Sequence, residues 1–216
     1  MGFATLEVSA MTLDFGGAVL NVLLLWLLTT PHEFAHAWVA TKLGDDTPEN
    51  EGRVSLHPLA HVDWLGTVLL PGVMSLFGAG LIGWGKPVNT DVRKLRGGVN
   101  GLALVALAGP LSNLLFALVL GGLTLLFRDS FPEISAFTGR GVYVSIYLAI
   151  FNLMPVPPLD GSKLLIAARI PAVIYNELAR FGFVLLIVLI SSTALGRWMS
   201  LASYEGTRAV LRIFGH

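Results

Sequence analysis

Two histidines four residues apart enclose a glutamate in the run His32-Glu33-Phe34-Ala35-His36. On a helix this spacing puts both imidazoles one turn apart on one face, where they can bind one zinc ion. Glu33 then projects close enough to take a proton from a water that the metal activates. The run lies in an apolar stretch from Phe15 to Val39 that carries no other charge. Lipid makes a carboxylate and two imidazoles costly unless they face a protein interior, a water-filled cavity or a metal, so the setting favours zinc over packed or interfacial histidines.

A zinc ion that performs hydrolysis needs three protein ligands and one open position. The chain has no cysteine, which excludes disulfides and thiolate sites and leaves histidine or carboxylate as the third ligand. Asp160 is the best candidate, at the end of Asn152-Leu153-Met154-Pro155-Val156-Pro157-Pro158-Leu159-Asp160-Gly161, where prolines break a helix and Gly161 permits a turn. The alternative is that Asp160 caps a helix running from Ser162 onward. His57 and His61 are also four apart, but Pro58 lies between them and Asp63 follows. They are a pH-sensitive gate, an alternative ligand or, the preferred reading, ordinary interfacial polar residues.

The elements that must position these groups are set by composition. With 216 residues, 54% hydrophobic and 13% charged, and a mean hydropathy of +0.73, the sequence reads as an all-α polytopic membrane protein forming a single unit over 1–216. Its core is 15–163, with C-terminal helices over 164–216. Net charge is zero and no long basic run occurs, which argues against nucleic acid as a partner. The first fifteen residues lack the positive start and short apolar core of a cleavable signal peptide, so the first span is expected to be retained. Apolar spans are expected at 15–43, 97–127, 141–159 and 181–196, with Pro31 bending the first beside the histidines. A fifth apolar segment, 65–85, is interrupted by Pro71-Gly72, Gly78, Gly80 and Gly83.

If His32, His36 and Asp160 share one metal, they lie at one membrane depth on helices that run toward the same face. That parity leaves about four full crossings and makes 65–85 a re-entrant hairpin, which lipid tolerates only where protein shields its backbone. Charge agrees: a hairpin puts Lys86, Arg93, Lys94 and Arg96 with Lys42, Arg53 and Lys163 on the cytoplasmic side, although Arg128 and Arg140 fall outside. Val54 and Leu56 alternate with polar neighbours, a short strand-like segment.

The strings HEFAH, AGPLSN (108–113) and NLMPVPPLDG (152–161), in this order and in apolar spans, resemble the site-2 protease family of intramembrane zinc metalloproteases. DWLGTVLLP and GWGKPV are similar to its small bacterial and archaeal branch, and no PDZ-like or CBS-like segment accompanies them. The resemblance implies that His32, His36 and Asp160 bind one zinc ion and that Glu33 is the general base. It also implies that Asn113 helps hold the substrate peptide or the developing oxyanion, unless it serves helix packing beside Gly109. The implied activity is hydrolysis of peptide bonds in transmembrane segments, in regulated intramembrane proteolysis. The substrate would be a single-span protein of the prokaryotic cell membrane, cut toward the cytoplasmic side. An unwound substrate needs new backbone partners, and an exposed edge at 52–56 or 86–88 is expected to supply them by strand addition. A membrane zinc carrier or channel is the alternative, and it gives no reason for Glu33.

Overall fold

The computed structural model describes residues 14–77, 83–192 and 194–215. The N-terminal stretch read above for a cleavable leader lies outside these, apart from residues 14 and 15. Three described helices are long and apolar enough to cross a membrane: α1 (Phe15–Lys42), α4 (Val99–Leu126) and α5 (Pro132–Asn152). Twenty-eight residues at about 1.5 Å each give α1 and α4 lengths above the ~30 Å hydrocarbon thickness. Asp14 caps α1, its carboxylate accepting from the Gly17 N–H at 2.8 Å. The helix continues through Pro31, and the Thr30 hydroxyl donates to the Trp26 carbonyl at 3.0 Å one turn earlier. Gly97 and Gly98, at φ of 84° and 53°, make the left-handed turn that launches α4.

α1, α4 and α5 bury a common core built on Leu24, Leu28, Ala117, Leu120, Val142 and Leu148. Hydrogen bonds join α4 to α5 within it, from the Ser145 hydroxyl to the Asn113 carbonyl (2.7 Å) and between Thr124 and Thr138 (3.0 Å). The expected span over 141–159 is corrected at both ends. α5 starts at Pro132, because Arg140 is accommodated by donating to Asn21 Oδ1 at 2.8 Å, and it stops at Asn152, before the prolines. The span expected over 181–196 is instead the C-terminal half of α7 (Ala172–Ser192), followed by α8 (Ala194–Gly215). Two glycines seat α8 on the core: Ile146 packs against Gly206, and Val210 lies so close to Gly121 that a methyl there would collide.

Short helices connect α1 to α4: α2 (Thr47–Asn50), a 3₁₀ turn over Pro58–His61, a π-helical turn over Trp64–Leu69 and α3 (Leu70–Leu76). The chain then comes back on itself. Trp84 N–H donates to the Gly66 carbonyl (3.0 Å) and Lys86 N–H to the His61 carbonyl (2.8 Å). Beyond it, the stretch 89–96 lies on the loop after α1. Arg96 N–H donates to Leu43 O (2.8 Å), Asp91 N–H to Asp45 Oδ2 (2.7 Å) and Asn89 Nδ2 to Glu51 Oε1 (2.9 Å). No strand occurs among the described residues. The strand-like segment around Val54 is thus an extended loop without a ladder partner, too short to build one.

Candidate metal centre

His32 and His36 sit on α1 with their rings edge to face, centroids 4.7 Å apart. Asp160 arrives from the far end of the chain, directly before α6 (Gly161–Ala167). Its side chain makes no capping bond to α6, so the capping alternative does not hold. Instead Oδ2 lies 3.1 Å from His32 Nε2 and 2.9 Å from His36 Nε2, and the two Nε2 atoms are 3.1 Å apart. All three residues are buried, at 4%, 3% and 7% exposure. Ligands on a tetrahedral zinc with bonds of about 2.0–2.1 Å stand about 3.3 Å from one another, so this triangle has the right size. Among the described residues it is the one group of three that could hold a metal ion.

Protons sharpen the fit. His36 Nδ1 lies 2.6 Å from the Val105 carbonyl, which only accepts, so Nδ1 carries the hydrogen. In the neutral ring Nε2 is then a lone pair, aimed at a carboxylate lone pair 2.9 Å away. A metal ion between these two atoms, or a proton on the ring, satisfies both. Lys163 Nζ holds the other carboxylate oxygen, Oδ1, at 2.9 Å and leaves Oδ2 for the centre. Gly109 on α4 makes the room: a methyl there would collide with His36 Nε2 and come within 2.6 Å of His32 Nε2.

Asn113 is fully buried, its amide nitrogen 3.2 Å from His32 Nδ1 and its oxygen without a partner. A His32 that binds metal through Nε2 carries its hydrogen on Nδ1, so the amide rotated by half a turn gives the matching acceptor. Asn113 therefore stands behind the ring and is not part of the cavity wall.

A cavity of about 360 Å³ opens over the three side chains, the size of a small-ligand pocket. Glu33 faces it, 7% exposed, and Asn152 and Lys163 border it. Neither Asn152 nor Lys163 was expected at the centre. Both signals were present, since Asn152 closes α5 and Lys163 follows Asp160 by one turn of α6. Trp84, Gly85, Pro87 and Val88 form a further wall, whereas 52–56 contributes nothing to it. A methyl on Gly85 would stand 3.1 Å from Glu33 Cγ, so this stretch runs directly against the glutamate. His57 and His61 do not join the centre. His57 is exposed, while His61 is fully buried with Nε2 2.6 Å from the Ser55 carbonyl. Burial pushes the His61 pKa below the ordinary value, which opposes a charge switch there.

Known proteins with similar sequences carry names that bear on this centre. The chain is 34% identical over 197 residues to "Putative zinc metalloprotease YwhC" of Bacillus subtilis, covering 86% of each chain. It is 32% identical over 195 residues to "Putative zinc metalloprotease Rip2" of Mycolicibacterium smegmatis, covering 86% of this chain and 72% of that one. A 62-residue stretch is 40% identical to "Putative zinc metalloprotease MJ0611" of Methanocaldococcus jannaschii, covering 28% and 31%. No family model matches the chain, and no solved structure matches it.

Proposed function

The chain belongs to the site-2 protease family of zinc metalloproteases, and from that footing we propose that it is an intramembrane endopeptidase that cuts single-span membrane proteins within their transmembrane segments. The observation that carries this reading is the position of the centre. His32 and His36 lie in the C-terminal half of a membrane-length helix, and the carboxylate that meets them follows another such helix. In this proposal His32, His36 and Asp160 hold one zinc ion per chain. Zinc, when bound, supplies a Lewis acid that makes water acidic and polarises a carbonyl. Glu33 takes the proton from the attacking water at its carboxylate and delivers it to the leaving amine nitrogen. Asn113 and the Val105 carbonyl hold the two rings in the required tautomers, and Lys163 keeps Asp160 presenting one oxygen.

The 65–85 segment is proposed to be a re-entrant hairpin. Asn21 Nδ2 donates to the Ser75 hydroxyl at 3.0 Å, so α3 reaches toward the outer half of α1, while Gly85 is back beside Glu33. The contacts of 89–96 with the loop after α1 support a return to the starting face, and the positive charges there support the cytoplasmic side. The chain lacks cysteine, so single cysteines at Gly52 and Lys94 can report topology. Both are expected to be labelled from the cytoplasmic side, and labelling from opposite sides would refute the hairpin.

The returning stretch 84–88 also suggests how a helical substrate is opened. Trp84 and Lys86 use their N–H and C=O groups on the scaffold, with partners Gly66, the Thr67 hydroxyl, His61 and Arg53. In extended chain the groups of the intervening residue point the other way. Among the described residues nothing pairs with the N–H or C=O of Gly85. That edge, and not 52–56, is proposed to pair with unwound substrate. The experiment that tests the function is cleavage of a panel of single-span peptides in liposomes by the wild type and its Glu33→Gln variant.

A further inference from the structure

Arg53 is 4% exposed and has no ion-pair partner among the described residues. Burying a guanidinium without a carboxylate is costly, so what it touches matters. One terminal nitrogen donates to the Ala60 carbonyl and the other to the Lys86 carbonyl. Its remaining nitrogen, Nε, is buried without a partner. Ala60 precedes the hairpin and Lys86 follows it. The fork therefore closes the base of the loop, next to the bond from Lys86 N–H to the His61 carbonyl (2.8 Å). One residue before Lys86, Gly85 lies against Glu33, where a Cβ would stand 3.2 Å from Oε1.

We propose that Arg53 is a positioning residue for peptide hydrolysis: it pins the 84–88 edge, through the Lys86 carbonyl, at the depth of Glu33. The assignment rests on the protease reading given above for the same site. Arg53 does not line the cavity, and its bonds reach the site through the edge; Arg53→Lys keeps the charge and loses the fork, so wild-type kcat/KM in that variant would assign the effect to charge and overturn the assignment. A substrate strand laid on Gly85 inherits whatever register this edge has relative to Glu33, and near-attack geometry is sensitive to shifts of about 1 Å. Arginine suits the task because its planar fork reaches two acceptors at once, which a lysine ammonium on a flexible stem does not reproduce.

The test uses the full chain in detergent and in liposomes, as wild type, Arg53→Met and Arg53→Lys, with the same single-span peptides. Hydrogen exchange at the Trp84 and Lys86 amides, the two edge N–H groups that are hydrogen-bonded, should accelerate by about tenfold or more in both variants while exchange in α1, α4 and α5 and zinc content stay as in the wild type. The value of kcat/KM should fall on the order of 10- to 100-fold, with Arg53→Lys close to Arg53→Met. Unchanged exchange at the edge, or unchanged kcat/KM, overturns the assignment. Accelerated exchange across all three long helices together with loss of zinc also overturns it, because Arg53 would then only stabilise the fold. Should the wild type cleave none of the peptides, the protease reading fails, and the exchange and zinc measurements still decide whether Arg53 pins the edge.

Discussion

Replacing Glu33 with glutamine should abolish cleavage of single-span peptides and leave the zinc content of the purified chain unchanged. Glu33 follows a proposed metal ligand directly in sequence, yet its carboxylate is not part of the three-residue cluster and faces the cavity. Glutamine keeps the size and loses the ability to accept a proton. Positioned general acid–base groups contribute about 10²- to 10⁴-fold, and Glu33 serves two proton transfers in sequence, so a loss at the upper end of that range is expected. The same variant separates a protease from a membrane zinc carrier. A carrier needs no proton acceptor beside its first histidine, and its metal flux would survive the exchange. Zinc retained with cleavage reduced less than tenfold would remove Glu33 from the role of base.

Gly109→Ala should have an effect as large by a different route. The added methyl would occupy space beside His36 Nε2 and within 2.6 Å of His32 Nε2, the two atoms that face the carboxylate of Asp160. Either the rings turn away or α4 moves from α1, and both outcomes break the triangle. Disturbing groups that merely support metal ligands costs about 10- to 100-fold in affinity; displacing the ligands themselves should cost at least that, with cleavage lost in parallel. Gly122→Ala, on the same helix, is the control. A Cβ there meets Phe214 at 3.6 Å, an ordinary contact, so zinc and activity should persist. Zinc binding by Gly109→Ala at wild-type affinity would mean that the metal, if any, lies elsewhere.

How much of this was readable from the chain depends on what each feature needs. α1 and α4 were legible almost to the residue, because long apolar runs in lipid have one stable solution. α5 was misplaced by nine residues at its start. Arg140 lies just before the expected span, and only its bond to the distant Asn21 shows how the helix accommodates it. Its end was misjudged because 153–159 is apolar but proline-broken, so hydropathy and helicity part company there. His32, Glu33 and His36 follow from local spacing. Asp160 needed a partner argument, and its choice between cap and cluster needed coordinates.

An edge at 86–88 was among the expectations, but its centring on Gly85 and the fork of Arg53 were not legible, since both depend on which carbonyls a folded loop leaves open. Asn113 shows the same limit. Its sequence neighbours mark it as notable, but only the 3.2 Å approach to His32 Nδ1 points to holding the ring. Alternation around Val54 misled for a related reason: period-two patterning over few residues specifies a strand only where a partner strand exists.

The most direct measurement is metal analysis combined with zinc X-ray absorption on the chain purified in detergent, beside its Asp160→Ala variant. The expected result is one zinc ion per chain in a shell of nitrogen and oxygen at about 2.0–2.1 Å with no sulfur, depleted when Asp160 is removed. Zinc that binds equally well without the Asp160 carboxylate, or a wild-type chain that holds none, would contradict a centre built by His32, His36 and Asp160.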